Sequence, residues 1–127
     1  MLTENQAISA LKAAITTLRA ELHPDLTALR ALFLLEVAGA GGQSIERKDL
    51  ETLASKSGTI TQGATSANVR ALADKAKNST GKPLIETYRS SENESMKPIR
   101  ITAAGREVVN RAIQAALDAI ERTKPNP

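Results

Sequence analysis

Apolar residues recur along this chain at a helical period, switch once to a period of two, and then return to the helical one. From Thr3 to Leu22, the residues Ile8, Leu11, Ile15, Leu18 and Leu22 step by three and four, which is the seam of an amphipathic helix. Thr3 with Gln6 forms a capping box, and His23-Pro24 ends the helix because the residue before proline is pushed out of the α region. Asp25 is the expected cap of a second helix, Leu26 to about Ala38. Its Leu29, Leu32, Phe33, Leu34, Leu35 and Val37 leave little polar surface, so it should be a buried central helix. Gly39-Ala40-Gly41-Gly42 stops it. Two shorter helices follow, about Glu46 to Lys56 and Gln62 to Lys77, separated at Ser57–Thr61. In the first, Ser44 is the expected cap, Ile45, Leu50, Leu53 and Ala54 form the apolar face, and Gly58 is the stop. In the second, Thr65, Val69, Leu72, Ala73 and Ala76 repeat on one face, while Gln62, Ser66, Ala67 and Arg70 fall on or near the other.

Asn78 to Pro83 is a dense set of turn formers, after which the period shortens to two. Leu84 to Arg89 and Lys97 to Thr102 read as two strands around the polar stretch Ser90–Ser95, with Pro98 suited to an open edge. Thr102 then caps a last helix, Ala103 to about Arg122, whose Val109, Ile113, Ala116 and Ile120 form a second seam. The order predicts a mainly α fold with a small two-stranded β-wing, a winged helix-turn-helix. The single domain spans 1–127, with dimerisation helices at 1–23 and 103–123, the helix-turn-helix and wing at 44–102, and a frayed tail at 124–127.

Length and composition fit one domain: 127 residues, 41% hydrophobic but only 2% aromatic, so Leu, Ile, Val and Ala must build the core. No run approaches the roughly 20 apolar residues of a membrane span. The start lacks a cationic stretch ahead of an apolar one. A cytoplasmic protein without membrane contact is therefore expected. The net charge is +3, and its excess lies in 44–102, with ten Lys or Arg against seven Asp or Glu. An outward helix face that is small, polar and cationic suits a DNA major groove.

Other chemistry lacks its required neighbours. The glycine cluster has no preceding strand and no following Gly-Lys-Ser/Thr, so it is not a phosphate loop. His23, the sole histidine, has only Glu21 and Asp25 nearby, short of a metal site. Glu92 and Glu94 lie in a polar loop rather than the apolar pocket that acid–base work requires. With no cysteine and no base beside a serine, the chain is expected to be no enzyme and to carry no metal or cofactor.

In this order the chain resembles the MarR-like winged-helix transcription regulators. The resemblance is carried by Pro98-Ile99-Arg100-Ile101-Thr102-Ala103-Ala104-Gly105-Arg106-Glu107, with further likeness in Leu26 to Leu35 and in Asp49-Leu50-Glu51-Thr52-Leu53-Ala54. It implies a homodimeric regulator, a repressor on a palindromic operator of double-stranded DNA. By that likeness Gln62, Thr65, Ser66 and Arg70 would face bases or phosphates, and Arg89, Lys97 and Arg100 would supply the wing's cations. Lys56, Lys75, Lys77 and Lys82 would add phosphate contacts. The acidic wing tip and short chain depart from the family pattern. With only Phe33 and Tyr88 as aromatics, no small-molecule effector is expected. The alternative is a winged helix that docks on a transcription or replication protein, as a phage or plasmid would encode. Arg70 discriminates the two readings: exposed with Gln62 and Ser66 beside it, it favours DNA; neutralised by Asp74, it favours a protein partner.

Overall fold

Thr3 opens the first helix as its sequence requires: its Oγ1 accepts from the Gln6 N–H at 3.1 Å while Gln6 Oε1 accepts from the Thr3 N–H at 2.9 Å. In the computed structural model, which describes residues 1–58, 63–87 and 98–124, this helix is α1, Glu4–Glu21. The next helix, α2, runs Ala28–Gly39 and is capped by Thr27 rather than Asp25. The reason is local. Asp25 is spent in the corner after Pro24, where its N–H donates to His23 Nδ1 at 3.0 Å and the Leu26 N–H donates to the His23 carbonyl at 3.1 Å. Nor is α2 buried all round, since Leu32 and Leu35 are exposed while Phe33, Leu34, Val37 and Ala38 face the core.

The third helix, α3, is Arg47–Lys56, with Glu46 rather than Ser44 as its cap. The Asp49 carboxylate accepts from the Glu46 N–H at 2.9 Å. Ile45 belongs to no helix face. It exchanges both backbone hydrogen bonds with Ile99, each at 2.8 Å, and is thereby held extended. At the other end Gly58 takes φ +88, the left-handed stop its residue type allows. Helix α4 spans Gly63–Ala73 and does not continue to Lys77. Asp74 is extended there, and its carboxylate accepts from the Ala76 N–H at 2.9 Å, which redirects Lys75–Lys77 into a 3₁₀ turn.

The hairpin pairs β1 (Ile85–Thr87) antiparallel with β2 (Ile99–Ile101), in register Ile85 with Ile101, Glu86 with Arg100 and Thr87 with Ile99. Of the described residues expected in the strands, Leu84, Pro98 and Thr102 lie outside them. Tyr88, Arg89 and Lys97 lie outside the described residues. Leu84 sits ahead of the strand, where its N–H donates to the Leu72 carbonyl at 2.9 Å, so Leu84 and Ile85 are both buried despite their alternation.

The last helix, α5, is Ala103–Arg122 with Thr102 as its cap. Thr102 Oγ1 accepts from the Gly105 N–H at 3.0 Å and donates to the Pro83 carbonyl at 2.7 Å, joining helix, cap and hairpin. Arg106 Nη2 donates to the carbonyls of Ala38 at 2.9 Å and Gly41 at 3.1 Å, so a cation caps the orphan end of α2. Arg106→Met should therefore lower stability by about 1–2 kcal/mol. An unchanged denaturant midpoint would show the cap to be idle.

The core gathers Phe33, Leu34 and Val37 of α2, Leu50, Leu72, Leu84, Ile85, Ile99 and Val108. Helices α1 and α5 run antiparallel beside it. Arg111 pairs with both Glu21 oxygens at 2.8 and 2.9 Å near one end, and Gln6 Nε2 donates to the Ile120 carbonyl at 3.5 Å near the other. The hydrogen bond to Glu21 holds the Arg111 guanidinium above its ordinary range. The α1 seam divides along its length: Leu18 and Leu22 enter the core, whereas Ile8, Leu11 and Ile15, with Ile113 and Leu117 of α5, are 48–64% exposed. Among the described residues no helix is long and apolar enough to cross a membrane.

Candidate nucleic-acid interface

Helix α4 presents two contrasting faces. Thr65, Asn68, Val69 and Leu72 point inward and are buried, while Gly63, Ala67 and Arg70 recur at i, i+4 and i+7 on the exposed side. This corrects the expectation for Thr65. At 3% exposure it is a core residue and cannot face bases, as its place on the apolar stripe already implied. Ser66 stands at the flank, half-buried, with its Oγ accepting from Arg47 Nη2, while Arg47 Nε reaches Glu51 at 3.4 Å. Ser66 is thus engaged by α3 rather than presented freely.

Arg70 is exposed, and no ion pair or hydrogen bond engages it among the described residues. Asp74, four residues on, is turned to its own cap at Ala76. Of the two arrangements that Arg70 could take, this is the one that leaves its charge outward. Beyond it Lys75, Lys77 and Lys82 are exposed, and Arg70, Ala73, Asp74, Lys75 and Pro83 line a shallow cleft of about 420 Å³. Lys56 is exposed at the end of α3. At the wing base Arg100 lies across from Glu86 at 3.4 Å, a cross-strand pair that offsets its charge. Gln62, Arg89 and Lys97 fall outside the described residues.

Two contacts escaped the sequence reading. Arg30 of α2 donates from Nε to Asn68 Oδ1 at 3.0 Å, and Arg47 of α3 holds Ser66. The available signal was Asn68 itself, three residues after Thr65 and four before Leu72, a polar residue on an apolar stripe. His23 is exposed, and among the described residues no group of His, Cys, Asp and Glu could hold a metal ion.

No protein-family model and no curated protein matches the chain. Solved structures follow its course, two of them as follows. One is a mutant of MepR from S. aureus bound to an oligodeoxyribonucleotide, 21% identical, with a TM-score of 0.64 over 91% of this chain and 73% of that one. The chain has the MarR winged-helix fold. The other is a second MepR mutant, from a multidrug-resistant S. aureus clinical isolate, 23% identical, with a TM-score of 0.61 over 87% of this chain and 68% of that one. In terms of that fold, α3 and α4 are the helix-turn-helix, the β1–β2 hairpin is the wing, and α1 with α5 forms the helical pair at the termini. The signature run Thr102 to Arg106 is explained by packing: cap, close approach and helix tie meet within five residues.

Proposed function

We propose that the chain is a DNA-binding transcription regulator, a repressor that acts in the cytoplasm as a homodimer on a palindromic operator. The observation that carries this reading is the outward face of α4, where Arg70 projects with no counter-ion among the described residues, from a surface that also presents Gly63 and Ala67. Such a face lets the backbone approach the major groove closely and leaves one side chain able to bond guanine at O6 and N7. Ala67 adds an apolar contact of the kind a thymine methyl accepts. Lys77 alongside, and Gln62, Arg89 and Lys97 outside the described residues, complete the contact set in this reading. The likeness to a structure bound to an oligodeoxyribonucleotide supports DNA as the partner. The exposed seam residues of α1 and α5 support a second copy of the chain as partner. A small-molecule effector has no part in this reading, since Phe33 is fully buried in the protomer's own core.

Arg70→Ala should weaken binding to the specific site by about 1–3 kcal/mol and leave non-specific binding nearly unchanged. An unaltered specific affinity would remove Arg70 from the interface. The reading as a whole is tested by titrating fragments of the surrounding genomic DNA across a salt series, with light scattering on the same sample. The expected result is a dimer that selects one palindromic fragment and loses affinity steeply as salt rises. No binding at about 50 mM salt, where screening is weak, would instead direct attention to a protein partner.

A further inference from the structure

Asn68 is a polar side chain on the inward face of α4, 8% exposed and flanked by Thr65, Val69 and Leu72. Its carboxamide is engaged at both ends. Nδ2 donates to the Ala64 carbonyl of its own helix at 2.8 Å, and Oδ1 accepts from Arg30 Nε at 3.0 Å. Arg30 is itself fixed at the first turn of α2, where its N–H donates to Thr27 Oγ1 at 3.2 Å. A buried amide is costly unless its hydrogen bonds are made, and a leucine at 68 would serve the core without that demand. What the polar pair adds is direction, because a hydrogen bond constrains angle and register where apolar packing tolerates sliding.

That constraint acts on the reading face. Residues two apart on an α-helix lie about 200° apart around its axis, so Asn68 and Arg70 point to nearly opposite sides of α4. Rotation of α4 about its axis would swing the Arg70 guanidinium across the groove, and the Arg30 contact opposes it from α2, as the Arg47 contact to Ser66 does from α3 and the Leu84 N–H on the Leu72 carbonyl does from the hairpin.

Resting on the DNA-binding reading above, we propose that Arg30 and Asn68 are positioning residues: a polar clasp between α2 and α4 that sets the rotation of the reading helix and so governs sequence discrimination rather than affinity for DNA in general. Arg Nε and Gln Nε2 are separated from the backbone by the same number of bonds. Arg30→Gln therefore keeps the donor and removes the charge, whereas Arg30→Met and Asn68→Leu remove the hydrogen bond while keeping the bulk.

The experiment measures binding of the full chain and these three variants to the selected fragment and to an unrelated duplex of equal length, across a salt series, with α4 amide hydrogen exchange on the same samples. Arg30→Met and Asn68→Leu should reduce the ratio of specific to non-specific affinity by about tenfold, the scale of one misplaced base contact. They should also speed α4 exchange, while non-specific affinity stays within about twofold and Arg30→Gln behaves as the wild type. A salt slope lower by about one in both Arg30 variants would make Arg30 a phosphate contact and overturn the clasp. Wild-type discrimination in Arg30→Met and Asn68→Leu overturns the clasp alone. A wild-type protein that prefers no fragment overturns the DNA reading, and with it the role in discrimination.

Discussion

Gly105→Ala is expected to destabilise the protein by roughly 3 kcal/mol or more, enough to bring a domain of this size near its unfolding threshold. A Cβ on residue 105 would lie 2.1 Å from the Leu84 carbonyl oxygen and 2.9 Å from Ile101 Cγ1. The side chain of Ile101 can give a few tenths of an ångström, but the carbonyl cannot. It already accepts from the Thr102 N–H at 3.1 Å, and the Leu84 N–H is held by the Leu72 carbonyl at 2.9 Å. Relief therefore requires moving the first turn of α5, which pulls Arg106 away from the Ala38 and Gly41 carbonyls. Urea unfolding followed by circular dichroism would read the loss directly. Gly42→Ala, where a Cβ meets nothing within 4 Å, is the matched control and should be near neutral. If both variants unfold with the wild type, α5 is not seated as described.

The second large effect is expected at the terminal helices. Ile15→Glu combined with Leu117→Glu should convert the proposed dimer into a monomer of 13.5 kDa, read by light scattering, without loss of helix content. Both side chains are more than half exposed in the single chain, so the charges cost the isolated fold little. In an apolar dimer seam each would be an unpaired carboxylate removed from water, at several kcal/mol apiece. On the proposed palindromic operator, affinity should fall with dimerisation, since a monomer would read one half-site where a dimer would read two. A doubly substituted protein that stays dimeric would place the interface elsewhere.

Much of the architecture was legible because helical periodicity and capping chemistry are local. Thr3, Thr102 and Gly58 each acted at the position their residue type suggested, and the alternation after Pro83 marked the hairpin. The misreadings share one physical cause, competition from a partner distant in sequence or from a turn. Ile45 carries an apolar side chain at helical spacing, yet Ile99, far along the chain, claims both its backbone groups. Asp25 is a good capping residue drawn into the corner that Pro24 makes. Asp74 reads as one more helical residue until its carboxylate turns back to Ala76. The candidate interface divides in the same way. Exposure of Arg70 followed from the period of α4, whereas Thr65, expected by likeness to face bases, is buried, because its place on the apolar stripe outweighs that likeness. The clasps from Arg30 and Arg47 depend on how α2 and α3 pack against α4, which no spacing within one helix encodes.

Helix α5 is a single uninterrupted element of 20 residues, rooted at one end by Gly105 and Arg106 and carrying Ile113 and Leu117 toward the other. At 1.5 Å per residue it is a rigid strut of about 30 Å. In a dimer closed at the far end, that strut works as a ruler: the separation of the two reading helices is fixed by helix length and crossing angle, with no flexible tether to stretch. In the proposed regulator, operator spacing would then be a property of α5, independent of the bases proposed for α4. Two chains with identical reading helices but with α5 differing by one turn, about 5.4 Å, would share half-sites and yet occupy different operators.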